Sequence, residues 1–405
     1  MSDETRTSQV TRAGRRTRRG LAGAAALLLA GVAVAPVAAA GSERTRPTRR
    51  GDLVAVTPVA VRDAGQVRSF LAGRDVDTGV VRHGVRAYRL TYRTVDPYGT
   101  PTTATGLLTL PRGGAHRLDL VSDTHGTMVD RDYAPSVSED FGRVPSYVHA
   151  SAGRAVAAPD YLGLGKGPGP HPYLDTASSV TASVDMLRAA RTAAGRLGRP
   201  LTGAVYATGF SQGGQVATAL GKALAAGADR HFRLAALAPV SGPYDLEGTE
   251  MPALFDGRVN DTSGVLYISY WLVAQNRLHP LYKNPSEVFR APYASRVENL
   301  LDGSHEQEDV VRGLAPSVER LLTPAFFERL RHPSGAVLDA MRAADHTCDW
   351  KPDVPVRLSG GRGPLRIGPG VGPAGGAVLR RRTAVRRAVG RRLSTSRWPA
   401  RRPRR

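Results

Sequence analysis

The sequence predicts an α/β protein: a mainly parallel sheet with helices on both faces and a helical segment inserted late in the order of strands. Three observations predict it. Short apolar runs alternate with segments of helical period from residue 118 onward. Gly209-Phe210-Ser211-Gln212-Gly213-Gly214 marks a sharp turn between one such run and one such segment. The alternation breaks over 243–350 and resumes at 354–358.

Residues 1–40 read as an export signal. Arg15, Arg16, Arg18 and Arg19 form a basic region, 21–34 an apolar stretch short for a membrane span, and Ala38-Ala39-Ala40 a small-residue cleavage site before Gly41. Thr17-Arg18-Arg19-Gly20-Leu21 also fits a twin-arginine signal. Either the Sec or the twin-arginine route would make the protein secreted or cell-surface. The alternative is an uncleaved anchor. No later segment is long and apolar enough to cross a bilayer, so no integral span is expected after signal removal.

The formal net charge of +21 suggests a nucleic-acid partner until its location is read. Residues 1–50 hold 10 Arg against 3 acids, and 354–405 hold 15 Arg and no acid. Residues 51–353 hold 31 Lys and Arg against 32 acids. The part able to fold is near neutral, so no specific nucleic-acid partner is expected.

Residues 41–80 read as a linker, Arg-rich and disordered over 41–50, followed by an N-terminal extension. Two strands are expected at 84–93 and 102–110, with Pro97-Tyr98-Gly99 as the turn. A third, 118–122, ends at Asp123-Thr124-His125-Gly126-Thr127. A short buried strand at 155–158 ends at Pro159-Asp160-Tyr161-Leu162-Gly163-Leu164-Gly165. Val180, Val184, Leu187, Ala194 and Leu197 share one helical face. The strand before the turn follows, then 234–240, ending at Ser241-Gly242-Pro243. Residues 81–242 therefore form the core. Residues 243–350 read as a helical cap, including a helix over 324–330 with Thr323 as N-cap. The alternative is an ordinary helical layer. Residues 351–360 hold a late core strand.

The turn at 209–214 has the surroundings a nucleophilic serine needs. Residues 204–207 lead into it as a strand, and Val216, Leu220 and Leu224 form the apolar face of the helix that follows. A serine on such a bend stands above the sheet on strained backbone, and Gly209 and Gly213 let the flanking chain pass close. The helix N-terminus aims the Gln212 N–H where an oxyanion forms. A second donor must come from the loop after an early strand, so Gly126 or Thr127 N–H is expected to supply it. His125 reads as a residue that structures this loop rather than as the general base. Cofactor and metal are not expected: no His/Cys/Asp cluster has ligand spacing, and Gly163-Leu164-Gly165-Lys166-Gly167 lacks the Lys-Ser or Lys-Thr pair of a phosphate loop. Cys348 is the only cysteine, which excludes an intramolecular disulfide.

The chain resembles the α/β-hydrolase superfamily, in particular exported lipases and esterases of the actinobacterial secretory-lipase kind. The likeness rests on His125-Gly126-Thr127, the stretch Ala158-Pro159-Asp160-Tyr161-Leu162-Gly163-Leu164-Gly165, His171-Pro172-Tyr173, the Ser211 turn and Gly242-Pro243-Tyr244-Asp245. It covers roughly residues 80–355. It implies hydrolysis of small-molecule or lipid carboxylic esters through an acyl-enzyme on Ser211. A serine peptidase of the same fold is the alternative.

Such enzymes also need an acid after a late strand and a histidine near the end of the fold. Here 354–358 runs into Ser359-Gly360-Gly361, and no acid follows. Asp353 is the last acidic residue and His346 the last histidine. The final 52 residues hold 15 Arg, 9 Gly and 6 Pro, with no Lys, Asp, Glu, His, Tyr or Phe. This composition reads as an out-of-frame continuation of a GC-rich gene beginning close to Gly360. On that reading 361–405 is a disordered Arg-rich tail, and the final strand and helix are missing. A genuine basic tail for anionic partners and natural divergence are the alternatives. His231, His279, His305, His332 and His346 all follow Ser211, and Asp245, Asp302, Asp309, Asp345 and Asp349 could supply an acid. Spacing selects no pair. Asp245 follows the strand after the turn, a position some hydrolases use for the acid, and His346 is the latest available base. The sequence thus implies an ester hydrolase that is impaired or catalytically dead.

Overall fold

The computed structural model describes residues 49–360; the export signal and the Arg-rich tail read from the sequence lie outside the described residues. Seven strands form one sheet in the order β1-β2-β3-β5-β4-β6-β7. β1 (Leu53–Arg62), β2 (Val85–Val95) and β3 (Pro101–Pro111) form an antiparallel meander. The β2–β3 turn falls where its Pro-Tyr-Gly signal places it. Asp96 accepts from the N–H groups of Tyr98 and Thr100, and Gly99 takes φ +83. β5 (Ala155–Pro159) lies between β3 and β4 (Leu118–Thr124). It is antiparallel to β3 and parallel to β4. β6 (Leu201–Phe210) and β7 (Arg233–Val240) continue the parallel half. Val356 and Ser359 then bridge to Leu237 and Val240 in parallel, so the late core segment joins the sheet edge beside β7.

Both faces are covered, which is why the parallel strands read as continuous apolar runs rather than alternating ones. The N-terminal helices α1 (Ala64–Ala72) and α2 (Val144–Ser151) bury Val67, Leu71, Tyr147 and Ala150 against Ala87, Leu107, Val121 and Val156. On the other face α3 (Thr176–Arg196) and α4 (Gln212–Ala225) bury Met186, Leu187, Ala190, Ala217 and Leu220 against Leu90, Leu108, Leu120, Ala157 and Val205.

The sheet extends further toward the N-terminus than a core starting at residue 81. β1 and α1 fall inside the stretch the sequence marks as linker and extension, and β1 pairs with β2 along its length. The pattern hides it because β1 is an edge strand with irregular burial, Pro58 in its middle and two register shifts. The Arg49–Gly51 segment is also tied down. Gly51 N–H donates to Arg93 O, and Arg50 reaches the fully buried Asp185 of α3 at 3.0 Å. Thr94 and Arg188 give that carboxylate two more donors, both at 2.8 Å, so its burial is compensated.

After β7 the chain leaves the sheet and builds a helical cap. A wide turn at Leu246–Glu250 leads to α5 (Met251–Ala253), α6 (Asp261–Asn276), α7 (Val297–Leu300), α8 (Gln307–Gly313), α9 (Val318–Leu321), α10 (Pro324–Arg331) and α11 (Gly335–Ala344). These enclose a second core of Leu266, Ile268, Trp271, Leu272, Phe289, Leu321 and Phe326. α10 starts on Pro324 with Thr323 accepting from Phe326 N–H, the cap its sequence predicts. The two crossings between cap and sheet are clasped together. Asp345 accepts from Leu246 and Glu247 N–H at 2.6 and 3.2 Å, and Arg342 forks onto Glu247. Among the described residues no helix is long and apolar enough to cross a membrane.

Candidate active site

Ser211 occupies the bend between β6 and α4. It follows the last residue of β6, takes φ 55 and ψ −127, and is the residue before α4. A non-glycine residue there carries backbone strain that surrounding contacts must hold. Three contacts do so: Ser211 N–H donates to Val240 O of β7 at 2.9 Å, and Ser211 O accepts from Gly214 N–H at 2.8 Å and Gln215 N–H at 3.4 Å.

The glycines beside it are required by close approach. A Cβ on Gly213 would stand 1.8 Å from Thr124 O, and one on Gly209 would stand 2.3 Å from Gly213 O and from Thr124 Oγ1. Thr124, the last residue of β4, is the clip. Its hydroxyl lies 2.8 Å from Gly213 O and 2.9 Å from Thr208 O.

The loop after β4 passes directly over this bend. A Cβ on Gly126 would lie 3.2 Å from Phe210 O and 3.3 Å from Ser211 Cβ. Gln212 stands at the first position of α4 with its side chain buried. Among the described residues the N–H groups of Gly126, Thr127 and Gln212 have no protein acceptor. The three free donors flank one serine.

His125 is buried with its ring against Tyr161, centroids 4.3 Å apart. Its Nδ1 lies 2.7 Å from Gly126 O and its Nε2 3.3 Å from Asp160 O, and burial lowers its pKa. Asp160 accepts from Ser136 N–H and Oγ and from Thr105 Oγ1; burial raises its pKa against those donors. Tyr161 donates to His125 O at 3.1 Å. The Asp160–Gly165 stretch thus underpins the loop that carries Gly126. The cap reaches the same loop: Tyr270 of α6 donates to Met128 O at 3.1 Å, and the Tyr173 and Thr127 hydroxyls meet at 2.8 Å. Tyr173 and Tyr270 stack at 4.4 Å.

Two residues proposed from sequence as acid and base are engaged elsewhere. Asp245 accepts from Gly248 N–H at 2.9 Å and Thr249 Oγ1 at 2.7 Å, so it caps the turn at 246–250. His346 is exposed and bonded to Asp349 at 2.7 Å, while its carbonyl accepts from Lys222 near the far end of α4. Lys222 lies eleven positions along from Ser211, about 16 Å of helix axis. No hydrogen bond links Asp245 or His346 to Ser211. Among the described residues no cluster of His, Cys, Asp and Glu could hold a metal.

Sequence reasoning passed over Tyr270 and Asp123. Tyr270 was hidden because its role depends on the fold of the cap. Asp123 is buried on β4, and burial pushes its pKa up to about 7. The unfolded chain releases this proton near pH 4, so stability falls as pH rises from about 4 to 7. The loss is on the order of 4 kcal/mol once pH exceeds the folded value. Asp123→Asn is therefore expected to be more stable than the parent at pH 8 and about equal at pH 4. Urea denaturation at both values checks this; equal stabilities at pH 8 would remove the assignment.

This sheet order, with helices on both faces, defines the α/β-hydrolase fold. No family model matches the sequence, and no curated protein does. Solved structures do. The rice cell wall degrading esterase LipA of Xanthomonas oryzae is 31% identical over 76% of this chain and 82% of its own, with a TM-score of 0.69. A protein of Legionella pneumophila is 26% identical over the same shares, with a TM-score of 0.70. Lipase A of Candida antarctica in its closed state shares the fold at 14% identity and a TM-score of 0.54, over 77% of this chain and 69% of its own. The chain belongs to the esterase family of α/β-hydrolases that includes LipA.

Proposed function

We propose that this chain carries the nucleophile and oxyanion half of an exported serine esterase and lacks the general-base half. The observation that carries the first part is Ser211 at φ 55 with the Gly126 loop packed on it. In the complete family site Ser211 Oγ would attack an ester carbonyl carbon while a base took its proton, and the charge on the carbonyl oxygen would be held by the N–H groups of Gln212 and of Gly126 or Thr127. This chain supplies no such base, so the proton passes only slowly, to water. Loss of one such donor costs about 3 kcal/mol. Collapse would return that proton to the leaving alcohol and leave Ser211 acylated, and a water, giving its proton to the same base, would release the acid. No metal or cofactor enters.

The missing half rests on the histidines. All ten lie among the described residues, and none is hydrogen-bonded to Ser211. Without an acceptor for the serine proton, turnover falls on the order of 10⁴-fold. A dead remnant is the limiting case. Reading the gene near codon 360 in its other two frames checks the origin: a loop with Asp and then a late His is expected in one of them, and their absence from both contradicts a frameshift.

The substrates are small-molecule or lipid esters. Saturable hydrolysis of short- or long-chain p-nitrophenyl esters, without cleavage of aminoacyl p-nitroanilides, is expected. Preference for the anilides would favour the peptidase reading. Export by residues 1–40 is checked by recovering the protein from culture medium with Gly41 first.

A further inference from the structure

We infer that His171 is a positioning residue, holding the Gln212 side chain and through it the amide at the tip of α4. The inference rests on the oxyanion role of Gln212 proposed above. His171 is buried among the rings of Tyr161, Tyr173 and Tyr270, with centroids 5.9–6.2 Å away. Its Nδ1 lies 2.9 Å from Leu162 O, and its Nε2 lies 3.2 Å from Gln212 Nε2.

These two distances fix the proton. A carbonyl oxygen only accepts, so Nδ1 carries the hydrogen. Burial, more than any neighbour, pushes the imidazole pKa down to about 3, so the ring is neutral and Nε2 offers a lone pair. Gln212 must then present its NH₂ to His171, which leaves its Oε1 buried without a partner. An amide held by one firm bond in a dry setting has one orientation. Because Gln212 is the first residue of α4, fixing its side chain also fixes the first N–H of the helix against Ser211. Leu162 follows Tyr161, which holds the His125 carbonyl. One short chain of contacts therefore sets both sides of the oxyanion site, and His171 is its link to α4.

A double-mutant cycle tests this on the saturable hydrolysis of a p-nitrophenyl ester, whose rate without a general base is carried by the oxyanion donors. His171→Phe keeps a ring and loses the acceptor; Gln212→Met keeps the backbone N–H and loses the bond. Each is expected to lower kcat about tenfold with KM within twofold, and the double variant to be no slower than either single. His171→Gln, which keeps an acceptor, is expected to recover part of the rate. Additive losses, or a change confined to KM, would overturn the positioning role. Thermal melts identify any variant that fails to fold. If the parent shows no saturable hydrolysis, the oxyanion reading of the site falls. The His171 bond is then read by ¹⁵N NMR of the full chain: a protonated Nδ1 and bare Nε2 from pH 8 to 4 are expected. A ring titrating near 6.5, or protonated at Nε2, overturns it.

Discussion

The 405-residue chain is expected to hydrolyse a p-nitrophenyl ester no faster than about 10³–10⁴-fold over buffer, and Ser211→Ala is expected to change that rate only a few fold. The second half of this expectation is unusual for a nucleophile and follows from the histidines. In a complete triad the serine and its base act as a unit, and deleting either costs about as much as deleting all. His125 and His171 are the buried histidines near Ser211, and each has its ring nitrogens on other partners. His346 belongs to Asp349. On the proposed reading oxyanion stabilisation is what survives, and it does not need the serine hydroxyl. Steady-state rates of parent and variant, from the same preparation, check it.

Gly213→Ala is expected to cost about 3 kcal/mol or more in stability and to abolish the residual rate. The added carbon would stand 1.8 Å from Thr124 O and 2.6 Å from His125 O. Both are backbone atoms, and Thr124 is fixed by its pairing with Gly209 across β4 and β6. Neither can retreat without opening the sheet beneath Ser211. Gly195→Ala is the control: it lies in α3, with nothing within 4 Å of the new carbon. There alanine should be neutral or stabilising by up to about 1 kcal/mol. Urea midpoints with unchanged slopes report both. Equal stability of the two variants would mean that the elbow is looser than its contacts imply.

The parallel half of the sheet was legible because burial on both faces writes uninterrupted apolar runs into β4, β5, β6 and β7. The tight turn between β6 and α4 was legible because close backbone approach permits only glycine at 209 and 213. Edge strand β1 was not, since a half-exposed strand with a central proline keeps no clean alternation. The roles of Tyr270, Gln275 and His171 were also illegible. Gln275 of α6 donates to Tyr173 O at 2.7 Å, a contact across 102 residues of sequence that no local pattern encodes. Asp245 misled for the opposite reason: its place after β7 fits a catalytic acid, while local geometry makes it a turn cap.

The most direct test of a site with intact oxyanion donors and no base is ester hydrolysis with added imidazole, parent against Ser211→Ala. Imidazole would accept the Oγ proton during attack and return it to the leaving alcohol. The account predicts a rise with imidazole above the free-imidazole background in the parent and none in the variant. Rapid hydrolysis by the parent without imidazole, abolished by Ser211→Ala, would contradict it, as would an equal imidazole response in both.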